Sequence, residues 1–292
     1  MAELRPEEHG WQRLGALEPA RLADARRQLH WAVQALAAVG YAWIERAPDD
    51  SQSNLGWVDG MQIFAGRLFG AEKPIFAALR PADLHVLLCD IGGGSLGELS
   101  LEGCTLDDAY GWIQETVIRH LGRLPGESLR FPPYELSAHP LGEEGCFEVQ
   151  DGASLREVAR WFHDANIVLR DLRARNLRST MPRVWPHHFD LGMLISLESH
   201  GDPQRGRSIG LGLSPGYEEI PSPYWYVRPH PMPEGGTLPP LPAYASWHTQ
   251  GWLGAVLDAR TQIAAGEAED QQKRAAAYVE AAVGACRALL AD

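Results

Sequence analysis

Lysine is almost missing from this chain. Lys73 and Lys273 are the only two, and the remaining cationic charge is arginine. With 26 Lys+Arg against 38 Asp+Glu, the formal net charge is −12. A chain this acidic has no basic stripe to neutralise phosphates, so nucleic acid is excluded as a partner. An anionic membrane surface is excluded by the same sign of charge. Cysteine is also scarce: Cys89, Cys104, Cys146 and Cys286 are scattered and form no C-x-x-C pair. That excludes a disulfide framework and a structural zinc site built on thiolates. No run of ~18 apolar residues occurs, so no membrane partner is expected. The stretch from Met1 to Gly10 is polar, without the apolar centre of a signal peptide, and the expected location is the cytoplasm.

Several catalytic signatures are absent too. There is no H-E-x-x-H, and Gly92-Gly93-Gly94 lacks both the Lys-Ser/Thr of a P-loop and the register of a dinucleotide fingerprint. Gly212-Leu-Ser-Pro-Gly216 has the letters of a nucleophile elbow but not its physics. The residue after the serine must donate a backbone N–H to the oxyanion, and Pro215 has none. Ser214-Pro215-Gly216 reads as a turn with Gly at the left-handed position.

What is present suits a soluble globular protein: 292 residues, 45% hydrophobic and 22% charged, enough to bury a sizeable core. Helical spacing predicts a first helix over Glu18–Val39 stopped by Gly40, then a short strand over Tyr41–Arg46. Strands are expected over Trp57–Leu68, Leu84–Asp90, Gly97–Leu101 and Leu129–Leu136. A second helix is expected from an N-cap at Thr105 to Pro125. A third is expected from a capping box of Ser154 and Glu157 to about Arg175. Beyond Arg183 the chain is strand-like up to Asp258, and a last helix covers about Asp270–Leu290. Pro231–Pro242 reads as a loop or lid. The expected fold is α+β, a mainly antiparallel sheet with about four helices packed against it. We expect a single domain over 1–292, with an N-terminal α/β portion (1–180) and a C-terminal strand-rich portion (181–292).

Alternation along a strand supplies the candidate site. Counted from Trp185, one face carries Trp185, His187, Phe189, Leu191, Met193 and Ile195. The other carries Pro186, His188, Asp190, Gly192, Leu194 and Ser196, unless a bulge at Pro186 flips the parity upstream of it. His188 and Asp190 then share a face, about 7 Å apart, and His187 belongs to the core. Over Arg207–Ser214, Ile209, Leu211 and Leu213 oppose Ser208, Gly210, Gly212 and Ser214. Over Tyr224–His230, Tyr224, Tyr226, Arg228 and His230 oppose Trp225 and Val227. An antiparallel meander of the three would have a floor of glycine and serine, which is a concavity with convergent polar groups. The same floor could be filled by the tyrosine rings themselves or covered by a helix. In Ala245–Trp252, Trp247 and Trp252 with His248 between them could line the rim, and the two tryptophans could equally anchor the last strand.

These residues resemble a family of bacterial proteins of similar length whose domain has no assigned function. The resemblance rests on Trp-Pro-x-His-Phe-Asp (Trp185 to Asp190), and on Ser-Pro-Gly (Ser214 to Gly216) followed by Pro-Tyr-x-Tyr-Val (Pro223 to Val227). A more divergent branch keeps Phe-Asp-Leu (Phe189 to Leu191) without either histidine. The resemblance therefore implies no reaction, and it favours Asp190 over the histidines.

The leading functional expectation is a small-molecule-binding protein or enzyme with a pocket on the C-terminal antiparallel sheet and a polar, carbohydrate-like or carboxylated ligand. Asp190 and His188 are the candidate catalytic pair. Tyr224, Tyr226, Arg228, Trp247 and His248 are the candidate ligand contacts, with Arg228 holding an anion. No cofactor is named by the sequence, and no metal site is assigned. Two alternatives stand beside this reading. One is a non-catalytic structural or interaction protein. The other is a metal-dependent hydrolase using His188, Asp190 and His248. Oligomeric state is left open.

Overall fold

Leu29, Ala32, Val33 and Leu36 recur at helical spacing and are all buried, which places the first helix in a core. The computed structural model describes residues 10–149, 151–198, 206–217, 219–233, 235 and 237–291. In it α1 spans Ala23–Trp43 behind a 3-10 turn at Pro19–Leu22, and every residue from Trp31 to Gly40 is buried. The helix does not stop at Gly40. The strand expected from Tyr41 does not form, because Tyr41 to Trp43 complete the helix. Gly40 instead lies against the chain at Gln52, where an added Cβ would come within 2.6 Å of the Gln52 carbonyl oxygen. The glycine is there for close approach, not for termination.

The first sheet is a meander of five antiparallel strands in sequence order: β1 (Gly56–Val58), β2 (Ile63–Ala65), β3 (Ile75–Arg80), β4 (His85–Asp90) and β5 (Ser95–Ser100). The single strand expected over Trp57–Leu68 is the β1–β2 hairpin, and β3 was not expected at all. At the β4–β5 turn the backbone N–H groups of Gly92 and Gly94 donate to Asp90 Oδ1 at 2.8 and 2.9 Å, and Gly93 takes φ +83°. Phe76, Ala78, Leu87, Cys89 and Ile63 gather on one face. The register places Leu88 beside Gly97 on the opposite face. There α2 (Leu106–Leu121) packs on β4 and β5, and Trp112 leaves room for nothing larger than hydrogen at Gly97 without adjustment. Thr105 caps α2 in a reciprocal box with Asp108, as its position suggested. No strand forms over Leu129–Leu136, where Pro132 and Pro133 remove ladder donors.

The third helix, α3 (Gly152–Arg175), starts two residues before the expected cap. Asp151 does the capping: it accepts from the Ala153 and Ser154 backbone N–H groups and from the Ser154 hydroxyl at 2.6 Å. The remaining strands are β6 (Arg183–Trp185), β7 (Asp190–Ser196), β8 (Ser208–Ser214), β9 (Tyr224–His230), β10 (Ser246–His248) and β11 (Gly254–Asp258). They form a six-stranded sheet in the order β10-β11-β9-β8-β7-β6, and β7-β8-β9 are the antiparallel meander that alternation implied. Two helices follow, the short α4 (Ala259–Ile263), which was not expected, and α5 (Ala268–Leu289). α5 covers the apolar face of β8 and β9. Tyr278 on its buried stripe donates to the Ala255 carbonyl at 2.7 Å.

The architecture is α+β, with five α-helices and two antiparallel sheets among the described residues. The chain divides into two compact units. One comprises Asp24–Ala159 and Val184–Phe189 and holds the first sheet. The other comprises residues 10–23, Arg160–Arg183 and 190–291, and holds β7 to β11 with α5. Within the second unit, fully buried Gln271 of α5 accepts from Leu14 N–H at 2.8 Å and donates to Leu14 O at 3.0 Å. That pair of bonds ties the leading segment to the last helix. Among the described residues, no helix is long and apolar enough to cross a membrane.

Candidate functional site

Strand register decides which side chains share the face of the second sheet turned away from α5. Gly192 lies beside Gly212, Gly212 beside Tyr226, and Tyr226 beside Val256. In the next row Leu194, Gly210 and Arg228 are neighbours, and His248 lies beside Gly254. Ser214 lies beside Tyr224. Cross-strand partners point the same way, so Tyr224, Tyr226, Arg228 and His248 occupy one face. Trp247 does not. It pairs with Ala255, which pairs with Val227, so it belongs to the opposite face, and its indole N–H donates to the Pro239 carbonyl at 2.8 Å. Of the two tryptophans expected there, Trp252, in the turn after β10, is the one beside Tyr224 and His248.

The glycine floor is taken up in part by a tyrosine. The Tyr226 hydroxyl lies 2.7 Å from where a Cβ of Gly192 would stand and 2.8 Å from that of Gly212. The two glycines therefore leave space for the phenol, which donates a short hydrogen bond to Asp190 Oδ2. Burial first, and then the Asp190 carboxylate, raise the Tyr226 phenol well above its ordinary value. The phenol keeps its proton, so Tyr226 is the donor and Asp190 the acceptor. Gly210 is different: the nearest atom to its Cβ position is Leu194 Cδ2 at 3.5 Å.

Beyond Tyr226 the face is aromatic and cationic. Tyr224 and Trp252 stack with centroids 6.4 Å apart and planes 26° from parallel. His248 lies against Trp252 at 4.3 Å. The exposed Arg228 guanidinium sits 5.1 Å above the Trp252 ring, a cation–π contact that fixes the charge without neutralising it. Gly254 permits the arrangement, since a Cβ there would meet Trp252 at 2.5 Å and the Arg228 stem at 2.9 Å. His248 Nε2 is 2.7 Å from the Gln250 carbonyl and 3.9 Å from Glu219. A carbonyl only accepts, so Nε2 carries hydrogen and faces an acidic neighbour. Burial raises the Tyr224 phenol, opposed by a hydrogen bond with Ser214. Among the described residues Arg228 makes no ion pair. Its fork of donors is held in place with capacity for an anion.

His187 and His188 belong to the other unit. The continuous strand expected from Trp185 is broken: β6 ends at Trp185, and Pro186 to Phe189 form a turn. Alternation does not run through a turn, so the shared strand face of His188 and Asp190 does not exist. Gln34 Nε2 and His30 Nε2 donate to the Pro186 carbonyl at 3.0 and 2.9 Å. Buried Phe189, at φ +54°, stacks on His30 at 5.5 Å and meets Phe64 edge-on. His187, expected in the core, is exposed, as is His188. Their rings lie 4.3 Å apart, and His187 also contacts the edge of Tyr134. Desolvation of the ring first, and then the neighbouring His188, lower the His187 pKa. The motif Trp185 to Asp190 is thus an anchored turn whose proline and phenylalanine are the gripped residues.

Among the described residues, no three His, Cys, Asp or Glu side chains come together as a metal would require. The loop at 231–242 lies partly outside the described residues, at 234 and 236. No family model, no curated protein and no solved structure matches this chain.

Proposed function

We propose that the protein binds a small anionic ring compound, of the class of a sugar acid or an aromatic carboxylate, on the face of the second sheet turned away from α5. The observation that carries this reading is the exposed Arg228 guanidinium held over Trp252, with Tyr224 stacked beside that indole. An arginine in this position offers a planar fork to a carboxylate. The adjoining rings offer a stacking surface for the body of the ligand. Tyr226 and Asp190 support the site from below: the tyrosine occupies the glycine floor and its acceptor fixes its rotamer. Asp190 is then a positioning residue, and His248 with Glu219 forms the polar edge. The free cysteines and acidic charge fit a cytoplasmic protein that does not engage nucleic acid.

The reading is tested by thermal shift with glucuronate, glucose and benzoate as probes. The carboxylates are expected to raise Tm where glucose does not, and Arg228→Gln is expected to abolish the rise. No shift with either acid, or a shift retained in the variant, would overturn it.

One observation favours a second reading. The phenol packed over Gly192 and Gly212 explains those glycines without a ligand, as expected of a non-catalytic interaction protein. That reading expects the two acids to leave Tm unchanged.

A further inference from the structure

Two of the four cysteines are brought together by a chain crossing that no functional reading above uses. The segment Cys146–Phe147 runs beside Leu101–Cys104: Gly103 N–H donates to Phe147 O at 2.8 Å, and Phe147 N–H donates to Cys104 O at 2.8 Å. Glu102 and Phe147 form an isolated parallel bridge, and Phe147 is fully buried, which pins the crossing. The Phe147-to-Cys104 bond alone holds the two cysteine Cα atoms within about 7.5 Å by standard backbone lengths. A disulfide spans roughly 4.4–6.8 Å between Cα atoms, so closure needs little or no backbone movement. Cys146 is exposed and Cys104 partly exposed, whereas Cys89 and Cys286 are buried.

We propose that Cys104 and Cys146 are a reversible thiol–disulfide site, oxidised by a low-molecular-weight disulfide of the glutathione class. The exposed Cys146 thiolate attacks one sulfur of that disulfide, forming a mixed disulfide and expelling one thiolate. Cys104 then gives its proton to water and attacks Cys146 Sγ. The Cys104–Cys146 bond forms as the second small thiolate leaves. Two protein thiols are oxidised, one small disulfide is reduced to two thiols, and no other reactant is needed. The bond clasps the N-terminal end of α2, at its Thr105 cap, to the segment that leads into α3.

Accessibility decides which thiols take part. Burial pushes the Cys286 thiol up to about 12 and raises that of Cys89, so neither supplies thiolate readily. The Cys104 thiol is raised by partial burial, then by Asp108, then by Cys146 itself. Cys146 is therefore the entry thiol and Cys104 the resolving one.

The test uses the full chain, incubated with oxidised glutathione and read by intact mass, denatured thiol count and peptide mapping. The expected product is lighter by two hydrogen atoms, has lost two thiols, carries a Cys104–Cys146 cross-linked peptide, and shows a higher Tm that reverts with dithiothreitol. Cys104→Ser is expected to stop at a glutathionyl adduct on Cys146, and Cys146→Ser is expected to stay reduced. Three results would each overturn the proposal: a stable glutathionyl adduct on the unaltered chain, a cross-linked pair of chains, or a bond to Cys89 or Cys286.

Discussion

Tyr226 and Asp190 depend on each other, and the glycines beneath them depend on both. Tyr226→Phe removes a hydroxyl that donates to Asp190 Oδ2. The expected cost is about 1.5–3 kcal/mol, as for a hydrogen bond to a charged acceptor, read as a fall in the denaturation midpoint at constant m. The floor allows a sharper comparison between two neighbouring glycines of one strand. A Cβ at Gly212 would stand 2.1 Å from the Leu191 carbonyl oxygen, which is backbone and does not swing aside, whereas Gly210 meets nothing closer than 3.5 Å. Gly212→Ala is therefore expected to lose roughly 2 kcal/mol or more, and Gly210→Ala to be neutral or slightly stabilising. Equal effects in urea titrations would mean that Gly212 is not held against the Leu191 carbonyl. Alternation had placed both glycines on the same face as the tyrosines, so that part of the site was legible. That Tyr226 would lie down into the gap was one of two packings the sequence allowed, and it is the one that brings the hydroxyl to Asp190.

At the scale of elements, glycines in helices separate by what they touch. Gly111 of α2 and Gly284 of α5 would meet nothing with an added Cβ, while Gly40 of α1 would run into the Gln52 carbonyl. Gly111→Ala and Gly284→Ala are expected to stabilise by about 0.5–1 kcal/mol. Gly40→Ala should destabilise despite the better helix former. Thermal melts of the three variants check the reversal of sign. Thr105→Ala is expected to cost about 1 kcal/mol by breaking the box with Asp108.

These cases also explain what could be read from the chain. α2, α3 and α5 carry their signals locally, in caps and apolar spacing, and so do the alternating strands β7, β8 and β9. The end of α1 is not legible locally, because Gly40 is a tertiary contact that reads as a stop signal. β3 was missed because Ile-Phe-Ala-Ala-Leu-Arg is buried on both faces and hardly alternates. Strand alternation was carried through Pro186, where the chain turns. Trp247 and Trp252 are indistinguishable by composition, and the pairing of Trp247 with Ala255 separates them.

At the scale of the whole molecule, acid should act through His30. The ring is packed against Phe189, and its folded-state pKa falls to about 4, mainly through burial and against the bond to the Pro186 carbonyl. The folded form therefore favours the neutral ring. Its contribution is complete above the unfolded value near 6.5, and is lost as pH falls through the interval down to about 4. The size is on the order of 3 kcal/mol. Urea midpoints from pH 7 to pH 4 are expected to fall in the parent chain and to fall less in His30→Gln, the lowered His187 value retaining part of the slope; parallel curves would assign the acid sensitivity elsewhere.

Calorimetric titration of glucuronate probes the Arg228 and Trp252 face directly. Saturable binding is expected that weakens with added salt, roughly tenfold or more in Arg228→Gln, and also in Trp252→Ala. A binding curve unchanged by Arg228→Gln, or no heat of binding from the parent chain, would contradict binding at this face.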